Sequence, residues 1–470
     1  MNIFKILLFV ILSFSSLSAQ KKIQFKVKID GYTEGVVQLV GIFSDENYLA
    51  DTSKLSADGT VLFNKADGYQ EGVFYLVMPD KANFQLLLAN GENFSLRTRR
   101  GDLVNSMQVE NSPENNLFFE SLKFQAKIEG QFSANMERAK TLTFGTPQYN
   151  ELKKANESLL NERETKLVDL KQNFPKSFFT KFKLAGQNPK LRYTFRSNGS
   201  LDSSQTMLNF RDDWWNDFDF SDERLLRTPV FFNKLKKYVM EILPQQPDSL
   251  VKYTDILIDK TLNNKPLFTT TSNWIAAQYK PGLTKLMDGE AVYSHIVLKY
   301  FTPERATWAT AEDVANLRKS AAEMRVSLIG MVGQDVRAQN KNGQFKSIYG
   351  LNSAFTIVYI YNPDCEHCQE QTPTLQKVYN EWKSKGLGIF SIAANAKNRE
   401  EWQHFANNFG VSWDSDVIDP QLASRFQEKY HIDNTPELYI LDKNHVIIAK
   451  NLKPEQVPEI LEKEMAKMRF

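Results

Sequence analysis

Cysteine is scarce in this chain. Only two occur in 470 residues, and both fall within Cys365-Glu366-His367-Cys368. That scarcity excludes a structural disulfide framework and a four-cysteine zinc site. Charge of one sign is lacking as well: 58 Lys and Arg stand against 56 Asp and Glu, a net charge of +2. Such a balance gives no reason to expect nucleic acid or an anionic membrane surface as a partner. Past the N-terminal segment, no apolar run approaches the roughly 20 residues of a spanning helix, so no membrane span is expected there. What is present is ordinary for a globular protein, with 42% hydrophobic and 24% charged residues. The length exceeds one compact core, so about three domains are expected.

The first residues read as a targeting segment. Lys5 supplies a short positive region, Ile6 to Leu12 an apolar run, and Leu17-Ser18-Ala19 a small-residue cleavage site before Gln20. No cysteine follows, so a lipid anchor is not supported. A cleaved signal peptide over residues 1–19 is expected, which makes the mature protein periplasmic or secreted, in surroundings that permit disulfides.

From 20 to 108 the pattern is β. Ile23 to Ile29 alternates strictly and breaks at Asp30-Gly31, and Asp58-Gly59 is a hairpin signal between two further strands. Short strands with turns between them predict a small antiparallel β-sandwich. Residues 109–327 read as an all-α domain. Ser112-Pro113-Glu114 opens a helix, and a long exposed helix is expected near Asn150 to Gln172, ended by Asn173-Phe174-Pro175. The aromatic piece Phe210 to Phe218 is either a ligand groove or a packing knot, and packing is the commoner outcome. His295, amid apolar neighbours, reads as a satisfied histidine rather than a metal ligand.

From 328 to 470 the pattern is α/β. The organising stretch runs from Ile357-Val358-Tyr359-Ile360-Tyr361 through Asn362-Pro363-Asp364 into Cys365-x-x-Cys368. It predicts a buried strand, a tight turn and a helix opening on the two sulfurs. A cysteine at a helix N-terminus meets the positive end of the dipole and unpaired N–H groups, so Cys365 is expected to be the more acidic and reactive thiol. Helices are expected over Arg399–Asn408, Pro420–Lys429 and from Pro454 to about Met468. Two strands flank an Asp442-Lys443-Asn444-His445 turn.

Three features carry a resemblance: Cys365-x-x-Cys368, Pro373 five residues beyond, and Thr435-Pro436 just before a strand. On these, the last third of the chain resembles a thioredoxin-like domain of the envelope thiol–disulfide oxidoreductase type. The segments in front resemble the small β-domain and helical spacer, both of unknown function, that accompany such domains. The resemblance implies a cis Thr435-Pro436 bond, Pro436 facing Cys365, and a Thr435 backbone that receives a substrate strand. It implies exchange with client proteins carrying disulfides or thiols, fed by an upstream electron donor, with no cofactor. Glu366, His367 and Glu370 would tune the redox balance. One departure stands out. Where thioredoxins bury an acid beneath the resolving cysteine this chain has Tyr359, and where envelope relatives carry Glu it has Gln371, so proton transfer goes through water or Glu370. Competing readings are a zinc site from Cys365, His367 and Cys368, which lacks a distant fourth ligand, and a structural disulfide, whose loop is too short to stabilise much. A haem attachment would need His where Gln369 stands. The alternative function is an envelope binding module whose thioredoxin-like part is redox-idle.

Overall fold

The computed structural model describes residues 23–396 and 398–467, so the expected signal segment lies outside the described residues. Among the described residues eight strands come first: β1 (Phe25–Asp30), β2 (Val36–Phe43), β3 (Glu46–Lys54), β4 (Thr60–Phe63), β5 (Gly72–Val77), β6 (Asn83–Leu88), β7 (Phe94–Arg99) and β8 (Gln108–Glu110). They make two four-stranded sheets, ordered β4-β1-β7-β8 and β3-β2-β5-β6. The period-two pattern of β1 buries Phe25, Val27 and Ile29, and Phe25 stacks between Phe63 and Phe94 at 4.9 and 5.1 Å. This is the sandwich the alternation predicts, with two corrections. β1 runs parallel to β7, in contrast to the other pairings. Asp58-Gly59 is not the tip of a hairpin: it hands the chain from β3 in one sheet to β4 in the other, where β4 pairs with β1. Gly59 is required there. Its φ is +80°, and a Cβ would lie 2.6 Å from the Ile29 carbonyl oxygen.

Nine helices follow among the described residues: α1 (Pro113–Ala139), α2 (Pro147–Asn173), α3 (Phe178–Ala185), α4 (Ser203–Asp213), α5 (Pro229–Lys237), α6 (Pro247–Thr261), α7 (Lys265–Gln278), α8 (Gly289–Tyr300) and α9 (Ala311–Glu323). Ser112 caps α1 as its sequence suggests, accepting from the Asn115 N–H. The aromatic piece is packing: Trp214, Trp215 and Phe218 are buried, and Trp215 meets Phe218, Phe231 and Tyr238. His295 is satisfied by Asp255, with Nε2 at 2.9 Å. The chain falls into two compact units, one running to Leu243 and adding Ile258–Thr271, the other holding Pro244–Leu257 and everything from Ser272. Among the described residues no helix is long and apolar enough to cross a membrane.

The C-terminal elements are β9 (Arg337–Asn340), β10 (Phe345–Ser347), β11 (Phe355–Tyr361), α10 (Glu366–Trp382), β12 (Leu387–Ala393), α11 (Arg399–Asn408), β13 (Asp416–Ile418), α12 (Phe426–Tyr430), β14 (Glu437–Asp442), β15 (Ile447–Lys450) and α13 (Val457–Lys467). One seven-stranded sheet, β10-β9-β13-β12-β11-β14-β15, organises them. β11 lies inside it, parallel to β12 and antiparallel to β14. Every β11 residue is buried. Ile357, Tyr359 and Tyr361 share a core with Cys368 and Leu375 of α10, whereas Val358 and Ile360 pack with Tyr430 and Tyr439 on the other face. The expected Pro420–Lys429 helix shrinks to α12. Leu422 and Arg425 take left-handed φ, and the Asp419 carboxylate accepts from the Ala423 and Ser424 N–H groups, so a turn replaces the first helical turn.

Candidate functional site

The site is the junction of β11 with α10. The strand stops at Asn362-Pro363, and Asp364 N–H donates to Asn362 Oδ1 at 3.1 Å, tightening the turn. Cys365 is the N-cap of α10, with extended φ and ψ of −89° and 119°. Its side chain is partly exposed, whereas Cys368, one turn on, is fully buried. Both are free thiols. The Thr435-Pro436 bond is cis, and the Cys365 thiol faces the Thr435 carbonyl oxygen at 3.3 Å. Cys368 Sγ accepts from the Asn362 N–H at 3.4 Å. Burial nevertheless pushes its thiol up to about 12, because a buried thiolate loses its hydration. The two sulfurs therefore differ in access, and the outer one meets any incoming group first.

The three tuning candidates lie on the outside of the first helical turn. Glu366, His367 and Glu370 are all exposed, and His367 Nδ1 lies 3.3 Å from Glu370 Oε2. Glu370 thus pairs with His367 on the exposed face rather than with the buried Cys368. Pro373 sits inside α10, where it removes one helical N–H. Gln371 lines a cleft of about 260 Å³ together with Pro436, Glu437 and Lys450.

Beneath Cys368 lies a layer of hydroxyls. Tyr359 OH and Thr372 Oγ1 are 3.1 Å apart, and Thr372 Oγ1 donates to the Cys368 carbonyl at 2.7 Å. Tyr361, stacked on Tyr359 at 5.6 Å, donates to Asp416 at 3.0 Å. Asp416 also accepts from Ser391 Oγ at 2.6 Å and Trp402 Nε1 at 2.7 Å. Burial pushes this carboxyl up to about 6 despite the three donors. Sequence reasoning missed Asp416 and also Glu437, whose carboxyl burial raises to about 7. The available signal for Glu437 was an acid directly after Pro436, ahead of the apolar run Leu438 to Leu441, whereas Asp416, between Asp414 and Asp419, did not stand out.

Comparison with known proteins places the domain. A family model described as thioredoxin-like matches residues 353–447. The chain is similar to a solved thioredoxin-like protein from Bacteroides caccae, at 16% identity and a TM-score of 0.47, covering 59% of this chain and 99% of that one. It is similar to a domain of a possible thiol-disulfide isomerase from Cytophaga hutchinsonii, at 27% identity and a TM-score of 0.29, covering 30% and 96%. A further likeness is to the thioredoxin domain of a thiol-disulfide oxidoreductase from Bacteroides vulgatus, at 24% identity and a TM-score of 0.27, covering 29% and 96%. No curated protein matches. By the family match, the C-terminal α/β domain is thioredoxin-like.

Proposed function

We propose that the chain, once its first 19 residues are removed, is an extracytoplasmic thiol–disulfide oxidoreductase acting on client proteins, a reductase or isomerase rather than a strong oxidant. One observation carries this reading: a partly exposed Cys365 thiol 3.3 Å from the Thr435 carbonyl, with Cys368 buried one turn behind it. The outer sulfur meets a client disulfide first, and the inner one is held back to resolve the intermediate. Cys365, as thiolate, attacks one client sulfur. A Cys365–client bond forms, the client disulfide breaks, and the departing thiolate takes a proton from water. Cys368 then loses its proton, attacks the Cys365 sulfur and expels the second client thiolate. Two electrons have passed to the client, and the resulting Cys365–Cys368 disulfide is reset by an upstream dithiol donor through the same exchange in reverse.

The Thr435 backbone and Pro436 receive the client segment beside Cys365. Burial of Cys368 disfavours its thiolate, so it stays a protonated thiol until the mixed disulfide has formed on Cys365. Glu366 adds a negative charge beside Cys365, and Glu370 lies against His367 on the exposed face. The proton of Cys368 leaves through water rather than directly to Glu370. An insulin-reduction assay with dithiothreitol tests the reading. Turnover by the wild type, abolished in Cys365→Ser, is expected, and a Cys368→Ala variant should hold clients as mixed disulfides. A wild type without turnover would overturn the proposal in favour of a redox-idle binding module.

A further inference from the structure

The strand after Pro436 opens with a charge, Glu437-Leu438-Tyr439-Ile440-Leu441, that the exchange chemistry does not use. Its carboxylate accepts from the Tyr439 hydroxyl, and the Asn434 backbone N–H on the other side favours its ionised form. The side chain thereby spans the turn that carries Thr435 and Pro436. Tyr439 Oη also lies 2.9 Å from the Tyr430 carbonyl oxygen at the end of α12, so its single proton is shared between that oxygen and the Glu437 carboxylate.

Charged groups face Glu437 from several elements. On β15, Lys450 is 2% exposed and paired in register with Tyr439, its ammonium 5.5 Å from that ring. On α8, Glu290 lies 3.7 Å from the same ammonium and accepts from Asn451 Nδ2 at 2.8 Å. Asp288, just before α8, is buried and also feels Lys450. In the segment before Pro436, His431 pairs with Asp433 at 3.2 Å. One buried cation therefore serves three carboxyls, and they cannot all stay ionised at low cost. Burial has raised the Glu437 carboxyl to about 7, within the working range of a thiol enzyme.

We propose that Glu437 is a positioning residue for the exchange reaction: when ionised it draws in Asn434 and Tyr439 and holds the Thr435 carbonyl at Cys365, and when protonated it slackens that turn. Protonation removes the charge and turns one carboxyl oxygen into a donor, so the pull on the Asn434 N–H and the Tyr439 hydroxyl weakens. The inference rests on the exchange reading for its consequence, a weaker grip on the client below neutral pH.

Two measurements separate the two ideas. Alkylation of Cys365 by iodoacetamide, read in the Cys368→Ala background from pH 5.5 to 8.5, needs no client. It should show an inflection near pH 7 that Glu437→Gln abolishes. With an insulin substrate, KM of the otherwise wild-type chain should rise about fivefold below that inflection, the worth of one hydrogen bond, and the rise should vanish in Glu437→Gln. Should that variant fail to fold, Tyr439→Phe removes one donor and should move the inflection to higher pH. Identical alkylation profiles with and without Glu437, or an inflection unmoved in Tyr439→Phe, would overturn the positioning role. An inflection that responds to these variants in a protein reducing no disulfide would sustain the positioning of Cys365 and sink the exchange reading alone.

Discussion

Asp222 in the first compact unit and Asp416 and Glu437 in the second meet opposite surroundings. In the first, Asp222 is given cations: Arg224 at 2.6 Å and Lys181 at 3.1 Å, with Glu71 sharing the same guanidinium at 3.1 Å. Burial raises the Asp222 carboxyl, but Arg224 and Lys181 more than reverse this and hold it below its ordinary value. In the second, Asp416 has only neutral donors, and Glu437 shares one lysine with its neighbours, so burial prevails and both carboxyls are raised. The lesson is that a buried acid reports its partners. Paired closely with cations it is held ionised, and left mainly to neutral donors it keeps its proton to higher pH.

The pH dependence follows with opposite signs. Asp222 contributes stability that is present above the ordinary carboxylate range and is lost as pH falls through its lowered value. Asp416 and Glu437 do the reverse. Their folded forms hold protons that the unfolded chain has released, so that stability is full below the ordinary values of 3.8 and 4.5 and is lost as pH rises through about 6 and about 7.

The comparison breaks most readily at Arg224. Arg224→Met strands Asp222 and Glu71, and should cost about 3 kcal/mol, read as faster hydrogen exchange of the β5 and β6 amides. A smaller effect sharpens the contrast. Raising pH from 5.5 to 8 should lower the opening free energy of β12 and β14 by on the order of 1 to 3 kcal/mol and leave β5 unmoved. Asp416→Asn should remove the part of that slope below about pH 6, and an unchanged slope there would remove Asp416 from the account. Smallest is Tyr359→Phe, which loses only the 3.1 Å contact with Thr372. It should cost about 1 kcal/mol or less in thermal unfolding and leave insulin reduction within about twofold, since hydroxyl loss removes one neutral hydrogen bond. A far larger loss of turnover would make Tyr359 part of the proton path.

Much of this was legible in the sequence, for identifiable reasons. The helix Arg399–Asn408 is found where the sequence puts it, because Trp402 and Phe405, one turn apart, both turn inward. The turn and helix that present Cys365 were equally plain, since Asn-Pro-Asp and an apolar run leave few choices. Pairing was not legible. Nothing in Phe25 to Asp30 says that its parallel partner is Phe94 to Arg99, because register is set by distant contacts. β13, at three residues, is too short to show a period. Glu437 was visible as a charge on an apolar strand, but only the fold shows that it reaches back around the cis turn.

The parallel ladder between β1 and β7 has a consequence for how this chain can be cut. Phe25, at the head of β1, lies across from Phe63 on one side and Phe94 on the other, so the first strand has no complete home until Arg99 has been made. Any fragment ending between β4 and β7 leaves an apolar strand with one bare edge, a template for self-association. An expression boundary meant to isolate the leading sheets must therefore fall beyond β8, however inviting the earlier loops look.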